Sequence, residues 1–320
     1  MNSSVFPSLS EKLLVERLTP PSHKQTRIVM DTDTYNEIDD QFAVVYALLS
    51  QERIKIEALY AAPFSNELAS TPKEGMMKSY EEILNILRIT GREEIPVYQG
   101  SEQYLPQPDM PVDSEAAKDL VRRAMASDVE EPLYVVAIGA ITNVVSAILM
   151  EPRIIERMVV IWLGGNAIEW PHTHEFNLQQ DLHASRLLLD CGVPLVLIPC
   201  LGVASNLRTT LSELREYVKP HGELGQYLYD TFHRSNSDHY AYSRVIWDIS
   251  VIAWLNDPDQ VPSYLMPAPH ISDELRWSID PHRHLIRYVR DMDRDKVFRD
   301  LFQRIKLSSL TAEEMNMKSQ

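Results

Sequence analysis

The alternation of short apolar segments with helix-forming segments constrains the fold of this chain more than any other feature. Strand-like apolar segments occur at residues 27–30, 54–60, 133–138, 159–163 and 193–199. Between them lie amphipathic stretches such as Gly75–Ile89, in which Met76, Tyr80 and Ile83 recur at helical spacing. Continuous apolar strands separated by helices are typical of a parallel sheet that is covered on both faces. We therefore predict an α/β fold with an open, mostly parallel sheet and helices on both faces.

The domain organisation is predicted from the segments that interrupt this pattern. Residues 1–25 are mostly polar, and Pro20–Pro21 closes a short amphipathic stretch, so we predict an arm outside the core. Residues 26–308 contain no linker-like stretch and no internal repeat, which favours a single α/β domain. Its C-terminal part is predicted to be mainly helical, with one late strand at His284–Val289. Residues 309–320 are predicted to form a tail.

The net charge of −15 limits the expected partners of the chain. A strongly acidic surface repels nucleic-acid phosphates and anionic membranes, so neither is an expected partner. No segment has the length and apolar composition of a membrane span, and the N-terminus lacks the apolar core of a signal peptide. Cys191 and Cys200 are predicted to be buried free thiols, which favours a cytoplasmic location.

Four aspartates lie close together just after the first predicted strand. Asp31 and Asp33 follow the strand, and Asp39 and Asp40 open the next helix after the loop Thr34–Ile38. In open parallel sheets, ligands bind beyond the carboxyl ends of the strands. Packed carboxylates are costly unless a cation neutralises them, and Ca²⁺ suits several oxygen ligands. Helix capping alone needs one acid rather than four, so the cluster predicts a metal site.

The same segment also fits a second chemistry. A strand that ends in Asp-x-Asp-x-Thr resembles the start of haloacid-dehalogenase phosphatases, in which the first aspartate, here Asp31, attacks phosphorus. That family also needs a downstream lysine and a second acidic pair at a strand end. Lys118 and Lys219 do not occupy such positions, and we find no convincing acidic pair.

Further motifs give the chain a resemblance to the inosine–uridine-preferring nucleoside hydrolases over most of residues 27–305. The aspartate cluster resembles the Asp-x-Asp…Asp-Asp motif of this family. The other matching segments, in chain order, are Gly139–Asn143, Gly164–Gly165, Glu175–Asn177 with Asp181, and Trp247–Asp248 with Asp257–Pro258. Five motifs in the family's order are stronger evidence than any one of them alone.

The resemblance implies a role for each matched residue. It implies that Ca²⁺ is bound by the carboxylates of Asp33, Asp40 and Asp248 and by the backbone carbonyl of Thr142. It implies that the substrate is bound by Asp39, Asn66, Glu175, Asn177 and Trp247, with Asp31 supporting the metal ligands from behind. It further implies a homo-oligomer, either a dimer or a tetramer.

The implied reaction is hydrolysis of the N-glycosidic bond of a small-molecule nucleoside to a base and ribose. Ca²⁺ can chelate the ribose cis-diol and acidify a water molecule. Asp33 would act as general base towards that water. Nearby carboxylates would stabilise a transition state that resembles an oxocarbenium ion.

Two departures from the family pattern affect substrate scope. The spacing between Asp33 and Asp39 is longer than usual by two residues, and Trp247 stands where many relatives have a histidine that protonates the leaving base. A third hypothesis is therefore a protein that binds a nucleoside or sugar without cleaving it. Candidates for a second base-stacking aromatic residue are Phe64, Tyr240 and Tyr242, and candidates for the missing acid are His172, His174 and His239.

Ordinary structural interpretations compete with these functional ones. Thr142 and Asn143 also fit a helix N-terminus, and Glu175 also fits an ordinary loop acid. Asp248 suits the first turn of a helix, and a lone tryptophan such as Trp247 is usually a core residue.

Overall fold

A computed structural model describes residues 6–21 and 25–318. The helices are α1 (Glu11–Leu18), α2 (Asp39–Leu48), α3 (Pro72–Thr90), α4 (Glu115–Ala126), α5 (Thr142–Met150), α6 (Phe176–Gln180), α7 (Leu182–Asp190), α8 (Leu211–Tyr217), α9 (Gly222–Arg234), α10 (Ile249–Asn256) and α11 (Arg294–Lys318). The strands are β1 (Thr26–Thr32), β2 (Ile54–Ala61), β3 (Val97–Gln99), β4 (Leu133–Ala137), β5 (Met158–Leu163), β6 (Leu195–Ile198), β7 (Arg208–Thr209), β8 (Arg244–Val245), β9 (Ser263–Pro267), β10 (His270–Ile271), β11 (Trp277–Ser278) and β12 (Leu285–Val289).

The main sheet has the strand order β3-β2-β1-β4-β5-β6-β12-β9. Every neighbouring pair is parallel except β12 and β9, which run antiparallel at one edge. Helices cover both faces, and a helical part follows towards the C-terminus. The predicted α/β fold with an open, mostly parallel sheet is therefore confirmed.

The central strands are apolar throughout because both of their faces are buried. Ile28 and Met30 of β1 pack on the face that α2 and α10 cover, whereas Val29 packs on the opposite face against α4, α5 and α7. Each of these three side chains is fully buried. A continuous apolar run is what a parallel strand between two helical layers requires.

Local sequence signals set the helix boundaries, as α3 illustrates. The side chain of Thr71 accepts a hydrogen bond from the backbone N–H of Glu74, and Pro72 occupies the first turn, where a missing N–H is tolerated. Gly91 ends the helix with a φ of 64°, a left-handed conformation that favours glycine. The helix predicted at Gly75–Ile89 is confirmed, with one extra turn at its N-terminus.

Successive strands lie first on one side of β1 and then on the other. From β1 the chain proceeds outward through β2 to β3, and then returns to place β4 on the other side of β1. Asp31 at the end of β1 lies opposite Ala137 of β4, and the N–H of Ile138 donates to its carbonyl oxygen at 2.9 Å. Both strands therefore end at the same level, which leaves a crevice of the kind in which open α/β sheets bind ligands.

Helix α10 brings a distant part of the chain to this crevice. It packs against α2, and its first flanking residue is Asp248. Residues 249–255 of the helix are all buried, and all but Ser250 are apolar. Its burial fixes Asp248 beside the N-terminus of α2, where Asp39 and Asp40 lie.

The two ends of the chain differ from the prediction. Helix α1 packs beside β12, and Leu18 is fully buried, so this part of the predicted arm at residues 1–25 does not lie outside the core. The side chain of Arg287 donates to the carbonyl oxygen of Leu18 and holds the helix there. Helix α11 continues to Lys318, through most of the predicted tail at 309–320. Residues 1–5 and 22–24 of the arm and 319–320 of the tail lie outside the described residues.

Candidate active site

The predicted acidic cluster forms at the carboxyl edge of the sheet. Carboxylate oxygens of Asp39, Asp40 and Asp248 lie within 4.8 Å of one another, and all three residues are buried. Asp33 lines the same cavity, which has a volume of about 240 Å³. The structure thus brings Asp248 next to three aspartates that precede it by more than 200 positions.

The hydrogen bonds of these carboxylates are incomplete. Asp40 accepts from the hydroxyl of Thr32 at 2.5 Å, and Asp39 accepts from the backbone N–H of Trp247 at 3.1 Å. Within the described residues, both carboxylate oxygens of Asp33 and Oδ1 of Asp39 are buried without a hydrogen-bond partner. Buried polar atoms in folded proteins are nearly always paired, so these three oxygens indicate where a ligand binds.

Burial and mutual repulsion disfavour the charged forms of these groups. Burial raises the pKa of Asp33, Asp39 and Asp248 well above the ordinary range, and neighbouring carboxylates raise each pKa further. Burial also raises the pKa of Asp40, to about 6, although the hydroxyl of Thr32 opposes the shift. A cation in the cluster would reverse this balance, since a nearby positive charge favours the ionised carboxylates.

Gly139 gives the Asp33 carboxylate its space. A Cβ atom at this position would lie 2.9 Å from Oδ1 of Asp33 and 3.1 Å from the Cβ of Ala62. Any side chain at the end of β4 would therefore push Asp33 away from the crevice.

Asp31 supports the site from inside the protein. It is fully buried, and its Oδ1 accepts from the side-chain amide of Asn143 at 2.8 Å. The same amide nitrogen donates to the carbonyl of Ala61, and its oxygen accepts from the N–H of Ser101. Burial raises the pKa of Asp31 to about 7. Asp31 is not part of the cavity lining, so the phosphatase hypothesis, in which it is the nucleophile, gains no support.

Thr142 does not line the cavity, unlike the other residues expected to bind the metal. It is the first residue of α5, fully buried, and its hydroxyl donates to Asp181 at 2.7 Å. Ile138, which directly follows β4, lines the cavity instead. A backbone oxygen from this part of the chain would therefore be that of Ile138, because Thr142 has already entered the helix.

Glu175 lines the cavity, and backbone groups satisfy its carboxylate. Oε1 accepts from the N–H of Asn177 at 2.9 Å, and Oε2 accepts from Gly165 at 2.8 Å and Leu178 at 3.0 Å. Burial raises the pKa of Glu175. The hydrogen bonds from these N–H groups and from the Cys200 thiol offset only part of that rise. Glu175 caps α6 and ties it to the turn after β5.

Asn177 joins the ends of two strands at the cavity. Its side-chain nitrogen donates to the carbonyl of Ile138 at 3.2 Å and to that of Leu163 at 3.1 Å. These bonds fix the amide plane, so the amide oxygen is the group that Asn177 can offer to a ligand.

Asn66 faces the longer first loop rather than the acidic cavity. Its side-chain nitrogen donates to Oδ1 of Asn36 at 2.7 Å, and its oxygen accepts from the N–H of Leu68 at 2.8 Å. Glu37 of the same loop pairs with Arg244 at 2.8 Å. Asn36 and Glu37 therefore connect the loop to its neighbours, and Asn66 lines an adjoining cleft.

The aromatic and histidine candidates separate into two groups. Trp247 and His174 line the cavity, and the ring centroid of His172 lies 4.9 Å from that of His174. The others lie elsewhere: Phe64 is fully buried, Tyr240 is 89% exposed, and Tyr242 and His239 contact each other away from the cavity.

Comparison with known proteins identifies the family. Residues 28–304 match the family model described as inosine-uridine preferring nucleoside hydrolase, which covers well over half of the chain. The chain belongs to this family. The resemblance seen in the sequence is therefore confirmed, and a nucleoside hydrolase is an enzyme.

Curated relatives match the chain at modest sequence identity. The pyrimidine-specific ribonucleoside hydrolase RihA of Klebsiella pneumoniae is 24% identical over 249 residues, which cover 69% of this chain and 77% of that protein. An uncharacterised protein of Schizosaccharomyces pombe is 24% identical over 213 residues, which cover 59% of this chain and 65% of that protein. The matched region thus spans just under two thirds of the yeast protein.

Solved structures of nucleoside hydrolases share the fold. A plant nucleoside hydrolase is 19% identical, with a TM-score of 0.69, over 88% of this chain and 99% of that chain. A purine-preferring ribonucleoside hydrolase of Gardnerella vaginalis is 17% identical, with a TM-score of 0.70, over 89% of this chain and 99% of that chain. At this identity the likeness concerns the fold alone.

Several residues of this nucleoside hydrolase site were missed in the sequence. Ile138, Phe176 and Cys200 all line the cavity: Ile138 and Cys200 follow the strands β4 and β6, and Phe176 opens α6. The rule that ligands bind beyond strand ends would have found Ile138 and Cys200.

Cys191 and Cys200 are both buried free thiols, as predicted. In the described part of the chain, no helix combines the length and apolar character needed to cross a bilayer.

Proposed function

We propose that this protein hydrolyses the N-glycosidic bond of a ribonucleoside to a base and ribose, with Ca²⁺ as its cofactor and Asp33 as general base. The observation that carries the proposal is the set of buried, unpartnered carboxylate oxygens on Asp33 and Asp39 at the switch point of the sheet. Membership of the nucleoside hydrolase family supports the same reaction.

The chemistry of the donor set fits calcium. Asp39, Asp40 and Asp248 supply carboxylate oxygens, and Ile138 lines the same cavity. Calcium takes about six to eight oxygen ligands in a flexible arrangement, which suits several aspartates and a backbone oxygen. When bound, the ion supplies positive charge, acidifies adjacent water and binds the hydroxyl groups of a cis-diol. A role for Asp33 as a further ligand remains a prediction.

Asp33 is the residue best suited to take a proton from the attacking water. Both of its oxygens lack protein partners among the described residues, and Gly139 leaves space beside them. The water adds to the anomeric carbon as the bond to the base breaks. The remaining carboxylates stabilise the positive charge that develops on the sugar ring in the transition state.

The ribose hydroxyl groups would meet two further residues. Oδ1 of Asp39 is an unused acceptor in the described structure, and the amide oxygen of Asn177 is the free end of a fixed side chain. Glu175 keeps the turn beside them in place. Its three backbone bonds support a positioning role, with only indirect contact to the sugar.

The leaving base would lie beside Trp247 and Phe176. Both line the cavity, and aromatic side chains stack on any nucleobase. His174 lies at the same cavity and is the histidine placed to protonate the departing base. A homo-oligomer and a cytoplasmic location stay predictions.

The test is turnover by the purified full chain. Inosine, guanosine, adenosine and uridine would be incubated with calcium or with a chelator, and released ribose measured as reducing sugar. We expect ribose release that requires calcium and that Asp33→Asn slows by about 10³-fold. Calcium-dependent binding with intact nucleoside recovered would instead establish the non-cleaving protein. The braced first loop, in which Asn66 is tied to Asn36, is the feature that favours that second candidate.

A further inference from the structure

A small hairpin outside the main sheet contacts a loop that carries part of the active site. The hairpin is formed by β10 and β11, which pair antiparallel. The active-site loop (residues 164–175) joins β5 to α6 and contains no helix or strand. His174 and Glu175 of this loop line the acidic cavity. The contacts that hold the loop therefore also determine where these two side chains lie.

Two hydrogen bonds join the hairpin to the active-site loop. The indole N–H of Trp277 donates to the carbonyl oxygen of Asn166 at 2.7 Å. The N–H of Thr173 donates to the carbonyl oxygen of Leu275, also at 2.7 Å. Asn166 and Thr173 are fully buried, and the N–H of Asn166 donates to the Thr173 hydroxyl at 3.0 Å. The hairpin therefore holds the loop at the point where its two arms meet.

The backbone around these bonds is unusual in two places. Gly165 has a φ of 69°, and a Cβ atom there would lie 2.5 Å from Cζ2 of Trp277. The glycine thus leaves the space that the indole ring occupies. Leu275 has a φ of 53°, which residues with a side chain adopt rarely and mostly where the surroundings impose it. Its carbonyl oxygen accepts from Thr173, so the strained residue lies at the contact with the loop.

Asn166 connects this contact to the histidines. Its side-chain nitrogen donates to the carbonyl oxygens of His172 and His174, at 3.2 Å each. Its side-chain oxygen accepts from the N–H of Leu201 at 3.2 Å. The side chain of Asn166 therefore fixes the backbone at His174, and Trp277 in turn fixes the backbone of Asn166.

The hairpin is itself attached to the core. The Arg186 guanidinium, on α7, donates to the carbonyl oxygen of Ser272 at 3.1 Å and pairs with Asp273 at 2.7 Å. Helix α7 packs against both α5 and β10. Because its support is anchored to core helices, the hairpin can hold the active-site loop in one position.

We propose that Trp277 is a positioning residue, which holds His174 against the departing base through Asn166. The bond between the anomeric carbon and the base breaks with its electron pair on the base, and a base nitrogen takes a proton from His174. The oxygen of the attacking water bonds to the anomeric carbon, and one proton of this water passes to Asp33. The inference rests on the proposed function, because His174 has this task only if the chain cleaves nucleosides.

The test uses leaving groups that differ in their need for a proton, with the purified full chain and calcium. Inosine, guanosine, adenosine and uridine release a base that takes up a proton, whereas p-nitrophenyl riboside and 7-methylguanosine release groups that depart without one. Trp277→Phe keeps an aromatic ring and loses the indole N–H. We expect its kcat for the ordinary nucleosides to fall about tenfold, since a misplaced catalytic group can cost up to about 10²-fold. The KM values, and kcat for the two activated substrates, should stay the same.

Three further variants complete the comparison. His174→Gln removes the acid itself, so it should show the same selectivity with a larger fall, of about 10²-fold or more. Arg186→Met releases the hairpin from α7 but retains the indole, and it should show a smaller selective fall. Trp162→Phe is the matched control, because the Trp162 indole N–H donates at 3.2 Å to the carbonyl oxygen of Gly139, which lies beside Asp33. This variant should slow all substrates by a similar factor.

The outcomes separate the two proposals. Thermal unfolding shows which variants are folded, and Arg186→Met decides if Trp277→Phe is not. Equal falls for ordinary and activated substrates in these two variants, or no fall in either, would overturn the positioning role and leave the proposed function standing. The same selectivity in Trp162→Phe would overturn that role as well. A wild type that releases ribose from no nucleoside would overturn the proposed function, and the role of Trp277 with it.

Discussion

Two carboxylates that line the same cavity have opposite environments. Asp33, beyond β1, has both oxygens buried without a partner in the described structure. Glu175, beyond β5, accepts hydrogen bonds from three backbone N–H groups. Both residues were assigned to the site by the same family resemblance.

The difference separates a ligand-binding group from a scaffold group. An acid whose bonds are complete within the protein stabilises the fold and has little capacity left for a substrate. A buried acid without hydrogen-bond partners destabilises the ligand-free protein. A ligand that bonds to the acid removes this free-energy penalty. The pattern of hydrogen bonds therefore refines the roles that sequence motifs imply.

The largest expected effect comes from Asp33→Asn. We expect kcat to fall by about 10³-fold, since general-base catalysis typically contributes about 10²- to 10⁴-fold. The free energy of unfolding of the metal-free protein should stay the same or rise, because one member of a repelling cluster is neutralised. Steady-state kinetics and thermal unfolding measure the two effects.

Asp119→Asn is the matched control for this stability effect. Asp119 is also buried, yet it accepts from Tyr60 at 2.8 Å and from Arg123 at 2.5 Å. We expect this variant to lose stability. If Asp33→Asn lost as much stability as Asp119→Asn, Asp33 would belong with the scaffold acids and the comparison would fail.

The second effect concerns metal binding. At a calcium concentration about 100 times the dissociation constant, binding stabilises the folded protein by about 2.7 kcal/mol. Asp248→Asn should abolish this stabilisation, because the Asp248 carboxylate lies within 4.8 Å of those of Asp39 and Asp40 in the group of candidate ligands. Glu175→Gln should retain it. Thermal unfolding with and without calcium tests both, and retention of the calcium effect in Asp248→Asn would remove this residue from the metal site.

The third effect is a loss of stability in Glu175→Gln. A neutral amide has one acceptor oxygen in place of two charged ones, so we expect a loss of about 2 kcal/mol. Glu151→Gln is the control, since Glu151 also caps a helical turn but bonds mainly to Arg153 near the surface. A Glu175→Gln variant of full stability that lost as much activity as Asp33→Asn would place Glu175 in direct contact with the substrate.

The smallest expected effect is a dependence on pH. The pKa of Asp40 is about 6 in the folded protein and about 3.9 in an unfolded chain, so the folded metal-free state binds more protons between these values. Its contribution to stability is present below about pH 4 and is lost as the pH rises through 6.

Calcium reverses this trend because it binds the ionised carboxylates. We therefore expect the difference in unfolding free energy between calcium-saturated and metal-free protein to widen from about pH 4 to about pH 7. Denaturant unfolding at several pH values measures it. A difference that stays constant over this range would show that the acidic cluster does not bind the ion.

Much of the fold was predictable because burial on both faces leaves a plain signal. The runs at 133–138 and 159–163 contain almost nothing but apolar residues, and they form the central strands β4 and β5. Helix α1 was wrongly predicted to lie outside the core. Its sequence is mostly polar, and only a few of its residues, including Leu18, are buried. An amphipathic segment does not show in its sequence which surface will receive it.

The candidate site was predictable only where an acid follows a strand or opens a helix. Asp33, Asp39 and Asp40 satisfy that rule, and Asp248 came from the family motif. Asn66 was misplaced because its partner, Asn36, lies in a loop whose path depends on tertiary contacts. Ile138 was missed because its apolar side chain gives no sign in the sequence that it lines a cavity.

The docking of α10 against α2 also determines when the site can form. The bond from the N–H of Trp247 to Asp39 joins residues 208 positions apart. During synthesis, the segment with Asp33 and Asp40 emerges from the ribosome long before Asp248 does. The nascent chain therefore carries only the first three aspartates of the proposed ion site through most of its translation. The proposed site is complete only after α10 has docked against α2.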